Sequence, residues 1–480
     1  MSDTHPSTTT ISISTGTLRG AEHGGILRFL GIPFAAPPFG DLRFARPAPP
    51  ASWEGERDAT AFGPTAPQDP YSAALGELLD SVEIPGEDIL TANVWTPADV
   101  IGMGMGLPVM VWFHGGALER GTPALDAYDG TTFARDGVVF VSIAYRLGSE
   151  GFSVLEGAPL NLGLQDAAAG LEWVHREIAA FGGDPDRITI VGESAGGAIV
   201  AGLLMRSDSR ALVRGAIIQS GPLEAVAPEK AGRVTHQLAQ RLRIPATRDA
   251  FAAVTPRALL DARAAQSAGS TPLSGAPGFA FALDPESLPV SPDVGLGRLT
   301  LPVVIGTNTD EYRLWLPPEA LAKIGRMQVF MARAALRIPR ATVAAYRRDL
   351  PGATRAEILG QMVTDRLLRA PAIRAAETRP GRTYVYEFAW RSPVRELGAA
   401  HAMEIGFVFH RGRTPDALRM AGPDAPKVLA DRMHDDWIRF IETQDAGWPP
   451  FDESRTVRRY DTETRDVPLP RAHALDALMR

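Results

Sequence analysis

The sequence predicts an α/β fold: a large, mostly parallel central sheet flanked by helices. Short β-branched and apolar runs recur along the chain with helix-like stretches between them, the order that favours parallel pairing. One such run, Ile188-Thr-Ile-Val191, passes through Gly192-Glu-Ser-Ala-Gly196 into an apolar, helix-like segment. Hydrophobic residues make up 45% and charged residues 22% of 480 residues, so a large core can be buried without cross-links.

Residues 1–10 read as a loose tail and residues 11–480 as a single domain. Residues 11–63 give short strand-like pieces, broken at Gly31-Ile32-Pro33 and in the proline-rich stretch 46–50. Residues 109–113 and 138–143 are buried-strand runs. Residues 163–181 have helical periodicity, with Leu164, Ala168, Leu171, Val174 and Ile178 on one face. The strand at 188–191 and a helix near 196–205 follow, then a short strand at 216–219 ended by Ser220-Gly221, and two more at 303–306 and 384–388. Segments 222–280 and 316–375, rich in Ala, Arg and Leu, read as helical excursions over the carboxyl ends of the strands. Gly102-Met-Gly-Met-Gly106 precedes a strand instead of following one, so it reads as a turn and not as a dinucleotide loop.

A net charge of −7 argues against a nucleic-acid partner. The basic residues are arginine except Lys230, Lys323 and Lys427, a coding bias and not a binding surface. Without cysteine, disulfides, thiolate catalysis and cysteine–metal sites are excluded. The N-terminus is polar and no run of about 18 apolar residues exists, so neither a signal peptide nor a membrane span is expected, and the expected location is cytoplasmic. Neither a metal nor a cofactor is called for.

A strand turning abruptly into a helix can hold a serine hydroxyl at its apex, exposed and strained, with flanking glycines avoiding backbone collisions. Ser194 is therefore the candidate nucleophile. In that arrangement the acid and then the base follow the serine in the chain. The acid belongs on a loop after a later strand, where Asp310 and Glu311 are the candidates; a solvated acidic turn is the alternative. Of the later histidines, His473 lies in a polar tail, His434 in a charged helix-like segment on its exposed side, and His410 at the end of an apolar run. His401 opens a segment after strand 384–388 and its loop, the favoured position. An oxyanion hole needs free backbone N–H groups; Ala195 supplies one, and His114-Gly115-Gly116-Ala117 is a flexible loop after an earlier strand.

Together these pieces resemble the type-B carboxylesterase family, closest in look to bacterial para-nitrobenzyl esterases. The resemblance runs from about residue 16 to 455. It is carried by Phe29-Leu-Gly-Ile-Pro-Phe-Ala35, Pro38-Phe-Gly-Asp-Leu-Arg-Phe44, Glu87-Asp-Ile-Leu-Thr-Ala-Asn-Val-Trp-Thr-Pro97, Tyr145-Arg-Leu-Gly148, the stretch from Phe181 to Gly196, and Phe281-Ala-Leu-Asp-Pro-Glu-Ser-Leu-Pro289. It implies an α/β-hydrolase fold, Glu311 as the triad acid, His401 as the base, and oxyanion donors on Gly116, Ala117 and Ala195. It also implies that Ser220 supports the acid, and that Glu193 and Glu404 lie close together behind the site. Three departures stand out. Ala117 and Leu118 replace a glycine and an aromatic; if position 117 requires positive φ, alanine costs on the order of 1 kcal/mol. The added methyl would narrow the pocket against tertiary-alcohol esters. Tyr312 replaces a glycine, which would reshape the loop at the entrance. Ile89 replaces a cysteine, leaving 65–88 as a mobile lid.

The implied function is hydrolysis of small to medium-sized carboxylic esters through an acyl-enzyme on Ser194, with activity falling below about pH 6–7 as His401 protonates. The alternatives are a related acyl bond (carbamate, amide, lactone or thioester), or a non-catalytic binding protein on the same fold. The partners expected are an ester and water, and the assembly a monomer or small homo-oligomer. The pocket is expected to involve the lid near residues 71–79, Leu118, the 222–280 excursion, Tyr312 and Trp315.

Overall fold

The computed structural model describes residues 8–71, 73–268, 278–335 and 338–479. Among them thirteen strands form one sheet: β1 (Thr8–Ile13), β2 (Gly16–His23), β3 (Ile26–Pro33), β4 (Glu56–Asp58), β5 (Thr91–Pro97), β6 (Leu107–Phe113), β7 (Val139–Ile143), β8 (Gly183–Glu193), β9 (Gly215–Gln219), β10 (Val303–Asn308), β11 (Thr383–Phe388), β12 (Thr456–Tyr460) and β13 (Arg465–Pro468). The spatial order is β1-β2-β3-β5-β7-β6-β8-β9-β10-β11-β12-β13, with β4 beside β2. Pairing is parallel from β7 through β12 and antiparallel along both flanks, except that β4 pairs parallel with β2.

Both faces of the central strands are covered, which is why they read as continuous apolar runs. Val109, Val111 and Phe113 of β6 enter one core with Ile190, Leu164 and Ile199. Met110 and Trp112 point the other way, into a second core with Val191, Ile217, Phe140 and Trp437. The helix Leu162–Glu177 packs with the first core, and the helix Ala195–Met205 is buried all round. No helix of the described residues is long and apolar enough to cross a membrane.

Two expectations change. Thr8, Thr9 and Thr10 belong to β1 and pair with Ala21, Gly20 and Arg19, so the expected tail of residues 1–10 is shorter; residues 1–7 lie outside the described residues. His434 is buried, not exposed: its helix Lys427–Thr443 packs that face against residues 133 and 408. The polar tail that holds His473 forms a short terminal helix, Ala472–Met479.

Candidate active site

The parallel strands β6, β8, β9 and β10 end on one edge of the sheet, the usual place for a site in such folds. β8 runs from Glu193 into Ser194, which adopts φ 55° and ψ −121° before the helix begins at Ala195. The turn is possible because its neighbours lack side chains. A Cβ on Gly196 would lie 1.9 Å from the Phe113 carbonyl oxygen, and one on Gly192 would lie 2.4 Å from the Gly196 backbone. Ser194 N–H donates to the Gln219 carbonyl at 2.8 Å, which ties the turn to β9.

The Ser194 hydroxyl donates to His401 Nε2 at 2.7 Å, and His401 Nδ1 donates to Glu311 Oε2 at 2.5 Å. Glu311 Oε1 accepts from Ser220 Oγ at 2.6 Å and from the Asn308 N–H at 2.7 Å. The carboxylate is thereby oriented from three sides. Asp310, the other acid candidate, instead pairs with Arg391 at 2.8 Å and accepts the Ala399 N–H. His410 bonds Asp431, and His434 bonds Asp136 and the Val408 carbonyl, so neither reaches Ser194.

Beside Ser194, the backbone after β6 reverses through Gly116 (φ 118°), Ala117 (φ 58°) and Leu118 (φ 62°). Position 117 does therefore demand the left-handed region. Among the described residues, the N–H groups of Gly116, Ala117 and Ala195 have no hydrogen-bond partner. His114 anchors the start of the loop: its ring stacks on Tyr145 at 4.5 Å, and Nδ1 donates to the Gly115 carbonyl at 2.8 Å. Burial lowers the His114 pKa to about 4, keeping it neutral.

Three buried carboxyls surround His401. Glu193 Oε1 lies 3.3 Å from His401 Nε2 and has no hydrogen-bond partner. Glu404 accepts from Gln219 Nε2 at 3.2 Å and Asn308 Nδ2 at 2.6 Å. Burial opposes charge on His401, but Glu193, Glu311 and Glu404 outweigh it and raise the imidazole to about 9. Burial raises Glu193 to about 8, reinforced by Glu404 and Glu311. Burial and the Glu311 charge raise Glu404 as well. That direction raises the pH at which the ring is neutral above the 6–7 expected of an ordinary imidazole.

A cavity of about 360 Å³ opens over Ser194. Its wall includes Tyr71, Leu75 and Leu79 from the 65–88 segment, Trp315, and a long stretch after His401 through Phe407 and Met420. Trp315 packs against the His401 ring at 4.8 Å. Two pocket expectations are corrected. Leu118 is buried in the first core, because the consecutive left-handed residues swing it inward; its carbonyl accepts the Gly148 N–H. Tyr312 turns away from the entrance: the 3₁₀ turn Glu311–Leu314 presses its ring on Gly360, where a Cβ would approach to 2.3 Å. The described part of 222–280 contributes no cavity wall, and neither does that of 316–375; residues 269–277 and 336–337 lie outside the described residues. The sequence reading missed Asn308, which holds both Glu311 and Glu404. Its place at the end of β10, in the same turn as the acid, was the available signal.

A sequence model of the carboxylesterase family matches residues 7–469. The chain belongs to the carboxylesterase family. It is 33% identical to the para-nitrobenzyl esterase of Bacillus subtilis (strain 168) over 94% of this chain and 95% of that one. It is also 33% identical to the phenmedipham hydrolase of Pseudarthrobacter oxydans, over 91% and 92%. A solved carboxylesterase of Geobacillus stearothermophilus superposes with a TM-score of 0.86 at 31% identity, covering 98% of this chain and 100% of that chain. This carboxylesterase therefore has the α/β-hydrolase fold and is a carboxylic ester hydrolase of the serine type.

Proposed function

We propose that the protein hydrolyses carboxylic esters of small to medium size through an acyl-enzyme on Ser194. The observation that carries this reading is the unbroken line from Ser194 through His401 to Glu311, beside three unpartnered N–H groups. His401 takes the Ser194 proton as the hydroxyl attacks the ester carbonyl. The N–H groups of Gly116, Ala117 and Ala195 hold the oxyanion. His401 then protonates the leaving alcohol, and water activated by the same ring releases the acid. Glu311 fixes the tautomer and stabilises the imidazolium, with Ser220 and Asn308 holding Glu311.

In this reading residues 11–480 act as one catalytic unit, with segment 65–88 as the cover of the cavity. A cytoplasmic monomer or small homo-oligomer completes it, the absence of cysteine supporting the compartment. Ser194→Ala should lower kcat on a para-nitrophenyl ester by roughly 10⁶-fold if the three residues work as a unit. A fluorophosphonate should label Ser194 in the folded protein. Near-normal turnover in the variant would overturn the assignment.

A further inference from the structure

The cavity wall carries an arginine whose ion pair, among the described residues, is long and shared. Arg120 ends the loop of the proposed oxyanion donors, and its N–H donates to the Gly116 carbonyl at 3.0 Å. The Arg120 backbone thus stands one turn from Gly116 and Ala117. Its side chain lines the same cavity as Ser194 and is 27% exposed. Among the described residues the guanidinium makes no hydrogen bond, and Nε is buried without a partner. Glu119 is 3.9 Å away and already bound by Arg263 at 2.5 Å. What Arg120 does touch is the Tyr71 ring, 5.2 Å from its centre.

Of the other cations on the wall, Arg413 is exposed to water, whereas most of the remaining charges have partners. Lys427 pairs with Asp431 at 2.7 Å, Asp80 pairs with Arg419, and Asp416 accepts the Ala417 N–H at 2.8 Å. A guanidinium partly removed from water, with no hydrogen bond and only a shared carboxylate at 3.9 Å, loses solvation that an incoming carboxylate restores, and its planar fork matches a carboxylate with two parallel hydrogen bonds.

We propose that Arg120 is a specificity-determining residue that binds a carboxylate carried by the substrate, making anionic esters the preferred class. This rests on the esterase reading of Ser194. The carboxylate can belong to the acid part, as in a hemiester of a dicarboxylic acid, or to the alcohol part.

The test compares kcat/KM for two matched pairs: benzyl hydrogen glutarate against benzyl valerate, and 4-carboxybenzyl acetate against benzyl acetate. One anionic ester should be preferred over its neutral partner by roughly tenfold or more, the preference shrinking as salt rises. The pair that responds identifies the part bearing the charge. Arg120→Met should erase the preference, acting through KM on the anionic ester, and Arg120→Lys should keep part of it. Preference for the neutral ester in both pairs overturns the proposal. So does an Arg120→Met variant that lowers both members of a pair equally, because that marks a packing role under Tyr71. Neutral esters cleaved through Ser194 without an anionic preference refute Arg120 alone. Failure to cleave any of the four, or cleavage that survives Ser194→Ala, refutes the Ser194 reading and takes this proposal with it.

Discussion

Glu193 lies 3.3 Å from His401 Nε2, the nitrogen that accepts the serine proton in the proposed mechanism, with an oxygen that no other group among the described residues satisfies. Its negative charge favours imidazolium and so raises the pH at which His401 becomes a base. In the proposed mechanism the free enzyme holds His401 neutral, so kcat/KM should fall as pH drops through that raised value. Glu193→Gln removes the charge and should move the rising limb of kcat/KM downward, by on the order of one pH unit. An unchanged limb would mean that Glu193 carries no charge in the working enzyme. Ala117 supplies the second residue-scale test. Its φ of 58° costs an L-residue energy, and the residue lines the cavity. Ala117→Gly should raise turnover of a tert-butyl ester at least several-fold relative to the ethyl ester, with stability changing by less than about 1 kcal/mol because the glycine's chain entropy offsets the relieved strain. Equal effects on both esters would show that the methyl does not limit the pocket.

At the level of elements, legibility followed burial. The strands β6 to β11 are covered on both faces, so their β-branched runs stood out, and the Gly-x-Ser-x-Gly turn was legible because its glycines answer a steric need that any chain making this turn shares. The 3₁₀ turn after the acid was not legible. Which of Tyr312 and Trp315 faces the site is decided by Gly360, 48 residues further on, and single-sequence periodicity holds no such information. Arg146 and Asp166 were equally silent: they look like surface charges, yet they form a bidentate pair at 1% and 0% exposure that joins the end of β7 to the helix Leu162–Glu177. Asp166→Ala strands a buried guanidinium and should cost about 3–5 kcal/mol. A urea midpoint within error of the parent protein would contradict that account.

Across the whole molecule, the groups that equip the site for catalysis weigh on stability in the same pH range. Burial and neighbouring carboxylates raise Glu193 from 4.5 to about 8, so between those values the folded chain holds a proton that the unfolded chain has lost. The stabilisation is fully present below pH 4.5 and is lost as pH rises through about 8. His401, raised from 6.5 to about 9, acts in the same direction over a higher window: its contribution is intact below pH 6.5 and gone above about pH 9. Carboxyls with depressed values, such as Asp136 and Glu177, act below this range and leave its slope unchanged. The proposed mechanism needs neutral His401, so the pH that switches the site on is also the pH at which its own charges weaken the fold. Tm should therefore decline between pH 6 and 9 while kcat/KM climbs. In Glu193→Gln the early part of that decline should disappear, because glutamine has no proton to lose and His401 loses its strongest raising neighbour. Thermal scans of both proteins across this range decide the matter: parallel Tm curves would show that Glu193 does not link the fold to the chemistry.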